Sequence, residues 1–190
     1  MEAPTTSCGL VQRVQGGDRA AFNGLFDKYQ RRLAVLIHYK LSADLRSSVE
    51  VDDVVQETLL RAWRDIGKFE YRAPGSFLSW LASIADHVLI DAARYRGRDC
   101  RAGDVTPLSQ APEPADTRTP SRLLSQKEDL AGLLARLDAL PEDYRQVILL
   151  ARIEGLSTPE IAERIGKSRE AVSLLLHRAL KRFRALSEGK

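Results

Sequence analysis

Residues 156–183 read LSTPEIAERIGKSREAVSLLLHRALKRF, and this stretch decides the fold of the C-terminal part of the chain. Ser157 and Glu160 have the spacing of a capping box, in which each residue satisfies a backbone N–H at the start of a helix. Gly166 can adopt the left-handed conformation that ends this first helix, and Ser168 can cap a second one. The stretch therefore predicts two short helices joined by a tight turn.

A helix-turn-helix of this kind can place its second helix in the major groove of DNA. The apolar residues of the two helices are spaced to face one another, which leaves a polar outer side with basic residues at positions 181, 182 and 184 behind it. We expect either Leu174 or Leu175 to pack against the preceding helices or to contact a thymine methyl group. A helical hairpin with a solvated polar face explains the same pattern, so the motif leaves both interpretations open.

The composition is that of a globular protein without a membrane segment or a metal site. The chain has 190 residues, 44% of them hydrophobic, and a formal net charge of +3. No apolar run approaches the roughly 20 residues that cross a bilayer, and no signal-peptide pattern is present, so we expect a cytoplasmic protein. Cys8 and Cys100 lack a CxxC partner and the three histidines are isolated, so neither a metal nor a cofactor is indicated.

Apolar residues recur at helical spacing throughout the chain except in one segment. Residues 103–121, GDVTPLSQAPEPADTRTPS, contain four prolines and almost no large apolar side chain, which predicts an extended linker. Nowhere does a sustained period of two indicate a strand. We therefore predict an all-α fold of two small helical domains, residues 1–99 and 125–190, joined by a Pro-rich linker over residues 100–124.

Charged residues are segregated along the chain. Acidic residues gather between positions 50 and 57, whereas basic residues gather at positions 94–101 and again at 178–184. Because the distribution of charge says more about partners than the small net charge does, we predict separate surfaces for a polyanion and for a second partner.

Three segments resemble bacterial RNA polymerase sigma factors, in the order in which those proteins carry them. Residues 10–33, LVQRVQGGDRAAFNGLFDKYQRRL, and residues 51–96, which begin VDDVVQETLLRAW, resemble their N-terminal domain, which binds core polymerase and melts the promoter. Residues 140–183, which begin LPEDYRQVILLARIEG, resemble their promoter-binding C-terminal domain. With two domains and a short linker, the chain is similar to the extracytoplasmic-function (ECF) group of compact alternative sigma factors.

The resemblance implies a dissociable specificity subunit and not an enzyme. It implies that the chain binds core RNA polymerase, at the clamp helices of the largest subunit and at the flap region, and that it directs promoter-specific initiation. It also admits an anti-sigma factor as a regulatory partner. The residues that it assigns to core-polymerase binding are Asp52, Asp53, Val54, Gln56, Glu57 and Arg61.

The same resemblance assigns promoter contacts to both domains. Aromatic side chains can stack on unpaired bases, at about 1–3 kcal/mol per base, and arginines can follow the phosphates. The residues expected at the minus-ten element are Phe69, Tyr71, Trp80, His87, Arg94, Arg96 and Arg98. Those expected at the minus-thirty-five element are Lys167, Ser168, Arg169, Glu170, Ser173, Leu174, His177 and Arg178.

Two short runs depart from the family pattern. The frequent IARN is IADH at residues 84–87, with an acid in place of a base and His87 where asparagine usually recognises a flipped base. The common VKSRL of the second helix is VSLLL at residues 172–176, which removes two basic side chains. We therefore expect altered preferences at both promoter elements, with Arg169 and Arg178 carrying more of the minus-thirty-five contact.

Two other classes of protein are compatible with a helix-turn-helix. A DNA-binding regulator that works without polymerase would need a ligand pocket and usually a dimer. A helical nuclease or recombinase would need paired carboxylates, a phosphate-binding glycine loop or a metal cluster, and the sequence carries none of these motifs. Binding to core polymerase favours the sigma factor, whereas tight binding of the free protein to duplex DNA favours the regulator.

Overall fold

The computed structural model describes residues 6–46, 48–99 and 120–188. Within these ranges the chain forms helices and turns without a strand, which confirms the predicted all-α fold class. The α-helices are α1 (Ser7–Gln15), α2 (Arg19–Lys40), α3 (Ala43–Arg46), α4 (Val51–Asp65), α5 (Ser76–Asp99), α6 (Pro120–Asp138), α7 (Glu142–Ile148), α8 (Thr158–Ile165) and α9 (Arg169–Glu188). A 3-10 turn (Ile66–Lys68) follows α4, and a π-helical segment (Leu149–Glu154), called the π segment below, follows α7.

Helix α2 lies at the centre of the N-terminal domain, where it contacts α1, α4 and α5. Its apolar residues Leu25, Leu33 and Ile37 are almost fully buried, because their helical spacing places them on one side. Phe77 and Leu81 at the start of α5 close the same core. This core fixes the positions of α4 and α5, whose outer faces carry the residues expected to bind partners.

Helices α6 to α9 enclose a second core. Leu137, Val147, Ile161 and Val172 come from four different helices, and each is at most 1% exposed. Helices α8 and α9 are two helices joined by a tight turn, each with one apolar side packed inward and the opposite side free of the core, and their use as a DNA-binding helix-turn-helix stays a prediction. The second core thus holds α9 by one face only.

The first helix of this second domain begins earlier than the sequence analysis predicts. Helix α6 starts at Pro120, inside the segment assigned to the linker, and not near residue 125. The physical reason is that proline is favoured in the first turn of a helix, where N–H groups have no helical partner. Residues 100–119, the rest of the predicted linker, lie outside the described residues, and the domain boundaries as such stay a prediction.

The two domains touch through α2 and the π segment. Val35 of α2 is fully buried among residues of the second core. Arg32 donates from Nε and Nη2 to the Ile153 carbonyl at 3.2 and 2.6 Å, and the Tyr39 hydroxyl donates to Asp138 at 2.8 Å. Because carbonyls at the C-terminal end of a helix lack an internal partner and carry partial negative charge, the guanidinium caps the π segment. We call this set of residues the interdomain contact.

Candidate polymerase and promoter interfaces

Helix α4 presents an acidic face beside the N-terminal core. Asp52 and Asp53 lie in its first turn, where the helix dipole favours negative charge. Asp53 and Gln56 are exposed, whereas Asp52 and Glu57 are half-buried. Of the six residues expected at the polymerase interface, these four therefore border one polar surface.

Val54 is the member of the expected polymerase-binding set that lies in the core. Its side chain is only 2% exposed and belongs to the N-terminal core. One turn later, the buried Thr58 hydroxyl donates to the Val54 carbonyl at 2.6 Å, so both polar groups are satisfied internally. Val54 therefore lies where the apolar and acidic faces of α4 meet, its burial is favourable, and its part in polymerase binding stays a prediction.

Arg61, also expected at the polymerase interface, connects α4 to α5. Its Nε lies 2.7 Å from Glu57 Oε1, and its Nη1 lies 2.9 Å from Asp91 Oδ2. Partly exposed ion pairs of this kind contribute about 0–1 kcal/mol each. In this conformation Arg61 orients the acidic face with respect to α5, because its Nε pairs with a residue of α4 and its Nη1 with a residue of α5.

An aromatic cluster joins the loop after α4 to the start of α5. The Phe69 ring centre lies 4.8 Å from that of Trp80, 5.4 Å from that of Phe77 and 6.5 Å from that of Tyr71. Phe69 is 8% exposed, so little of its ring is accessible in this conformation, and its expected role at the minus-ten element stays a prediction. Tyr71 and Trp80 are half-buried and retain accessible surface. Phe69 therefore supports these two rings from beneath, where its own burial stabilises the domain.

Helix α5 carries an exposed stripe after the aromatic cluster. Ser83, His87, Ile90 and Arg94 are exposed and follow each other at intervals of three or four residues, which places them on one side of the helix. The side chains of Arg96 and Arg98 lie outside the described residues. The structure thus brings His87 and Arg94 onto one surface, in line with the expectation that both face the minus-ten element.

The acid in the IADH run is paired within the protein. Lys40 Nζ of α2 lies 2.6 and 2.7 Å from the two carboxylate oxygens of Asp86. Because the charge of Asp86 is balanced by Lys40, this departure from the family pattern adds little net negative charge beside His87.

Local hydrogen bonds fix the turn before α9. The N–H and hydroxyl of Ser157 donate to the Glu160 carboxylate at 2.7 and 2.5 Å, so the glutamate reaches back to the start of α8 as predicted. The hydroxyl first and the N–H second lower the pKa of Glu160 from its ordinary value of 4.5. Gly166 has a φ of 66°, and Ser168 Oγ accepts the Ala171 N–H at 3.1 Å, which confirms both predicted roles.

The outer side of α9 is exposed. All eight residues expected at the minus-thirty-five element are exposed: Lys167, Ser168, Arg169, Glu170, Ser173, Leu174, His177 and Arg178. The open choice within the leucine run is also resolved, since Leu175 and Leu176 pack against the second core and Leu174 does not. Helix α9 therefore presents basic, polar and apolar groups together on the side that the core leaves free.

Residues outside the expected sets also take part in these surfaces. Lys40 and Asp91 pair with residues far away in the chain, and no local pattern indicates such partners. Ile90 lies between His87 and Arg94 on α5, and its spacing from them is a signal that the sequence does contain.

Neither a metal centre nor a membrane helix is found in the described ranges. No group of three or more His, Cys, Asp or Glu side chains there is placed to hold a metal ion. None of the helices in those ranges is long and apolar enough to cross a membrane.

Known proteins provide an independent comparison. The sequence profile of the family described as ECF sigma factor matches residues 5–187. The ECF RNA polymerase sigma-E factor of Haemophilus influenzae is 33% identical over 168 residues, which cover 86% of this chain and 85% of the relative. That of Escherichia coli is 31% identical over 189 residues, which cover 90% of this chain and 95% of the relative.

Solved structures give more distant similarities. CnrH in complex with the cytosolic domain of CnrY is 25% identical, covers 95% of this chain and 96% of that chain, and superposes with a TM-score of 0.40. The sigma factor RpoE in complex with the anti-sigma factor NepR from Bartonella quintana is 25% identical, with coverages of 84% and 89% and a TM-score of 0.35. The profile match and the sigma-E relatives both extend over most of the chain, from α1 to the helix-turn-helix, and on that basis the chain belongs to the ECF sigma factor family.

Proposed function

We propose that this alternative sigma factor, which directs transcription initiation, uses three separate surfaces: α4 for core RNA polymerase, α5 for the minus-ten element and α9 for the minus-thirty-five element. The observation that carries the proposal is the separation of charge. The exposed acidic and amide groups of α4 lie in one domain, and the exposed basic side of α9 lies in the other. A polyanion is attracted to the second surface and repelled by the first.

The acidic face of α4 suits a basic protein surface, and the family resemblance assigns it to the clamp helices of the largest polymerase subunit. Asp53 and Gln56 are the exposed members of this face. Arg61 holds the face in position through Glu57 and Asp91 and so contributes indirectly. Charged groups at such an interface act mainly on specificity and on the rate of association. The flap region is a second polymerase contact that the family resemblance supplies.

At the minus-ten element, the half-buried rings of Tyr71 and Trp80 are placed to receive unpaired bases. Stacking on an aromatic ring contributes about 1–3 kcal/mol per base, which offsets much of the cost of unstacking that base from the duplex. His87 and Arg94 extend the surface along α5, where the arginine can contact a phosphate. Binding of the displaced strand by these groups favours the melted promoter.

At the minus-thirty-five element, α9 is the helix that enters the major groove in this proposal. Arg169 lies in its first turn, where a helix-turn-helix meets base edges, and arginine can bind guanine with two hydrogen bonds. Arg178 lies nine residues, or about 13 Å, further along the helix. Because nine residues make two and a half helical turns, the two arginines lie on opposite sides of α9, and Arg178 shares its side with Glu170 and Leu174.

Binding both elements at once requires the domains to separate. The names of the elements place them about 25 base pairs apart, on the order of 85 Å of duplex at 3.4 Å per base pair. A compact chain of this length is roughly 40 Å across. The interdomain contact of Arg32 with Ile153 therefore belongs to a state that precedes full promoter binding, and it opens when the promoter is engaged.

Further properties follow from membership in the family. The chain acts as a dissociable, non-enzymatic subunit, and its place of action is the cytoplasm, where the polymerase and the chromosome are. CnrH has been solved in complex with CnrY, and the sigma factor RpoE in complex with the anti-sigma factor NepR. The family resemblance makes an anti-sigma factor a further candidate partner for this chain.

The charge-reversal variant Asp53→Lys tests the assignment of α4. Gel filtration with core polymerase should reveal a weaker complex, whereas at saturating concentrations of the variant the same promoters are selected as with the wild type. Asp27→Lys, an equal charge change at an exposed position of α2, is the matched control. Equal weakening by both variants would assign the effect to net charge and not to α4.

Arg178→Ala tests the assignment of α9 in the same holoenzyme. Core binding should be unchanged, and promoter affinity should fall by about 1–3 kcal/mol if the arginine contacts a base, or the salt slope should fall by about one if it contacts a phosphate. A variant that loses core binding and promoter binding together would contradict the proposed division between the surfaces.

A further inference from the structure

Leu174 is out of place on the polar side of α9. It is 50% exposed, and among the described residues only Ile90 is another large apolar side chain with comparable exposure. Its neighbours Leu175 and Leu176 pack against the second core. The run of three leucines therefore contains two core residues and one that points away from the core.

The surroundings of Leu174 are polar and basic. Glu170 lies one turn before it and Arg178 one turn after it, and all three positions share one line along the helix. Ser173 and His177, also exposed, flank this line. At 1.5 Å per residue, Leu174 lies about 6 Å from the level of Arg178 along the axis. It thus occupies the middle of the surface proposed to enter the groove.

We propose that Leu174 recognises the C5-methyl group of a thymine in the major groove of the minus-thirty-five element. This inference rests on the proposed function of α9. The thymine methyl is the only apolar group that a base pair displays in the major groove, and apolar side chains are its natural contacts. Leucine stands where the family pattern VKSRL has serine, so the side chain adds apolar surface at a place where the pattern has a hydroxyl group.

A protein partner explains the same position less well. Apolar patches that bind proteins are contiguous and extend over several side chains. Here a single leucine stands among Glu170, Ser173, His177 and Arg178, with further basic residues at positions 181, 182 and 184. Positive charge around a small apolar contact matches DNA, because the phosphates satisfy the charges while the methyl group meets the leucine.

The experiment uses the holoenzyme, formed from the full chain and core polymerase, on a promoter that it selects. Each thymine of the minus-thirty-five element, on either strand, is replaced singly by deoxyuridine, which lacks only the methyl group, and promoter affinity is measured. With the wild-type chain, one replacement should weaken binding about fourfold, the value for transfer of one methyl group out of water. With Leu174→Ala, the unmodified promoter should bind about fourfold more weakly than it binds the wild type. Replacing the same thymine by deoxyuridine should then have no further effect on affinity.

The control variant is Asn23→Ala, which removes an exposed side chain from α2, outside the proposed polymerase and promoter surfaces, and should leave both the promoter affinity and the deoxyuridine effect intact. Circular dichroism checks that Leu174→Ala is folded. If no deoxyuridine replacement matters although changes of the minus-thirty-five bases do, the leucine contact is refuted and the function of α9 stands. A persistent deoxyuridine effect in Leu174→Ala assigns the methyl group to another residue and overturns the proposal.

Two further results would distinguish a wrong inference about Leu174 from a wrong proposed function of α9. Weaker core binding by Leu174→Ala, without a change in the deoxyuridine effect, would place the leucine against a polymerase surface and refute the proposal. If the holoenzyme ignored the sequence of the minus-thirty-five element altogether, the proposed function of α9 would fail, and the inference about Leu174 with it.

Discussion

Arg32→Met is the substitution that most directly weakens the interdomain contact. Methionine keeps much of the aliphatic stem but removes both N–H groups that donate to the Ile153 carbonyl at 3.2 and 2.6 Å. A hydrogen bond to a charged group contributes about 1.5–3 kcal/mol when its partner is otherwise unsatisfied. A loss of about 2 kcal/mol corresponds to a shift of roughly 30-fold toward the open arrangement, at 1.4 kcal/mol per factor of ten.

The assay measures the distance between the domains in the free protein. Spin or fluorescent labels at Asn23→Cys and Glu163→Cys, both exposed positions, report on it after the native cysteines are replaced by serine. The wild type should give a short distance and Arg32→Met a larger population at long distance. Arg19→Met, at the exposed start of the same helix, should behave like the wild type. Identical distance distributions for Arg32→Met and the wild type would refute the stabilising role of the contact.

Two predictions concern the stability of the domains. Phe77→Ala should lower the free energy of unfolding by about 3–5 kcal/mol in a denaturant titration, because this ring is 2% exposed and a cavity would remain, whereas an unchanged midpoint would contradict its place in the core. Glu160→Gln should lower the thermal midpoint near neutral pH, and this difference should shrink as the pH falls below 4.5. The sign follows from the lowered pKa of Glu160, since stability from a carboxylate with a lowered pKa is present above its unfolded value of 4.5 and lost as the pH falls through the folded pKa. A midpoint difference that persists in acid would show that the carboxylate charge is not its origin.

The helix-turn-helix could be predicted well because its signals are local. Gly166, Ser168 and the pair Ser157 and Glu160 act on backbone groups within four residues, so their spacing in the sequence is enough. Pro120 carries a local signal too, but it is one of four prolines in a segment whose composition predicts a linker. The start of α6 therefore lies earlier than predicted.

Side-chain placement could be predicted less well because it depends on distant partners. Val54 and Phe69 belong to types that serve equally in a core or at an interface, and only the packing of α4 against α5 shows that both are buried. Arg61 forms an ion pair within the protein because the fold brings Asp91, thirty positions later in the chain, next to it. Within the leucine run, periodicity identifies Leu176 as a core residue but cannot choose between the two leucines before it.

The interdomain contact has no counterpart in the sequence pattern. Val35 lies on a helix of the first domain, yet it is buried in the core of the second. The hydrogen bonds of the π segment that meets it span five residues where those of an α-helix span four, and no propensity scale distinguishes its residues from α-helical ones. Such a contact is a property of the folded surfaces, which short-range spacing does not encode.

Transcription by reconstituted holoenzyme on fragmented genomic DNA, with the 5′ ends of the transcripts mapped, tests the central claim most directly. The purified chain added to core polymerase should produce starts at a limited set of sites, each preceded by two shared sequence blocks about 25 base pairs apart, as the element names imply. Arg178→Ala should relax the upstream block and leave the downstream block intact. Start sites that are the same with and without the chain, or starts that share no upstream sequence, would contradict the account.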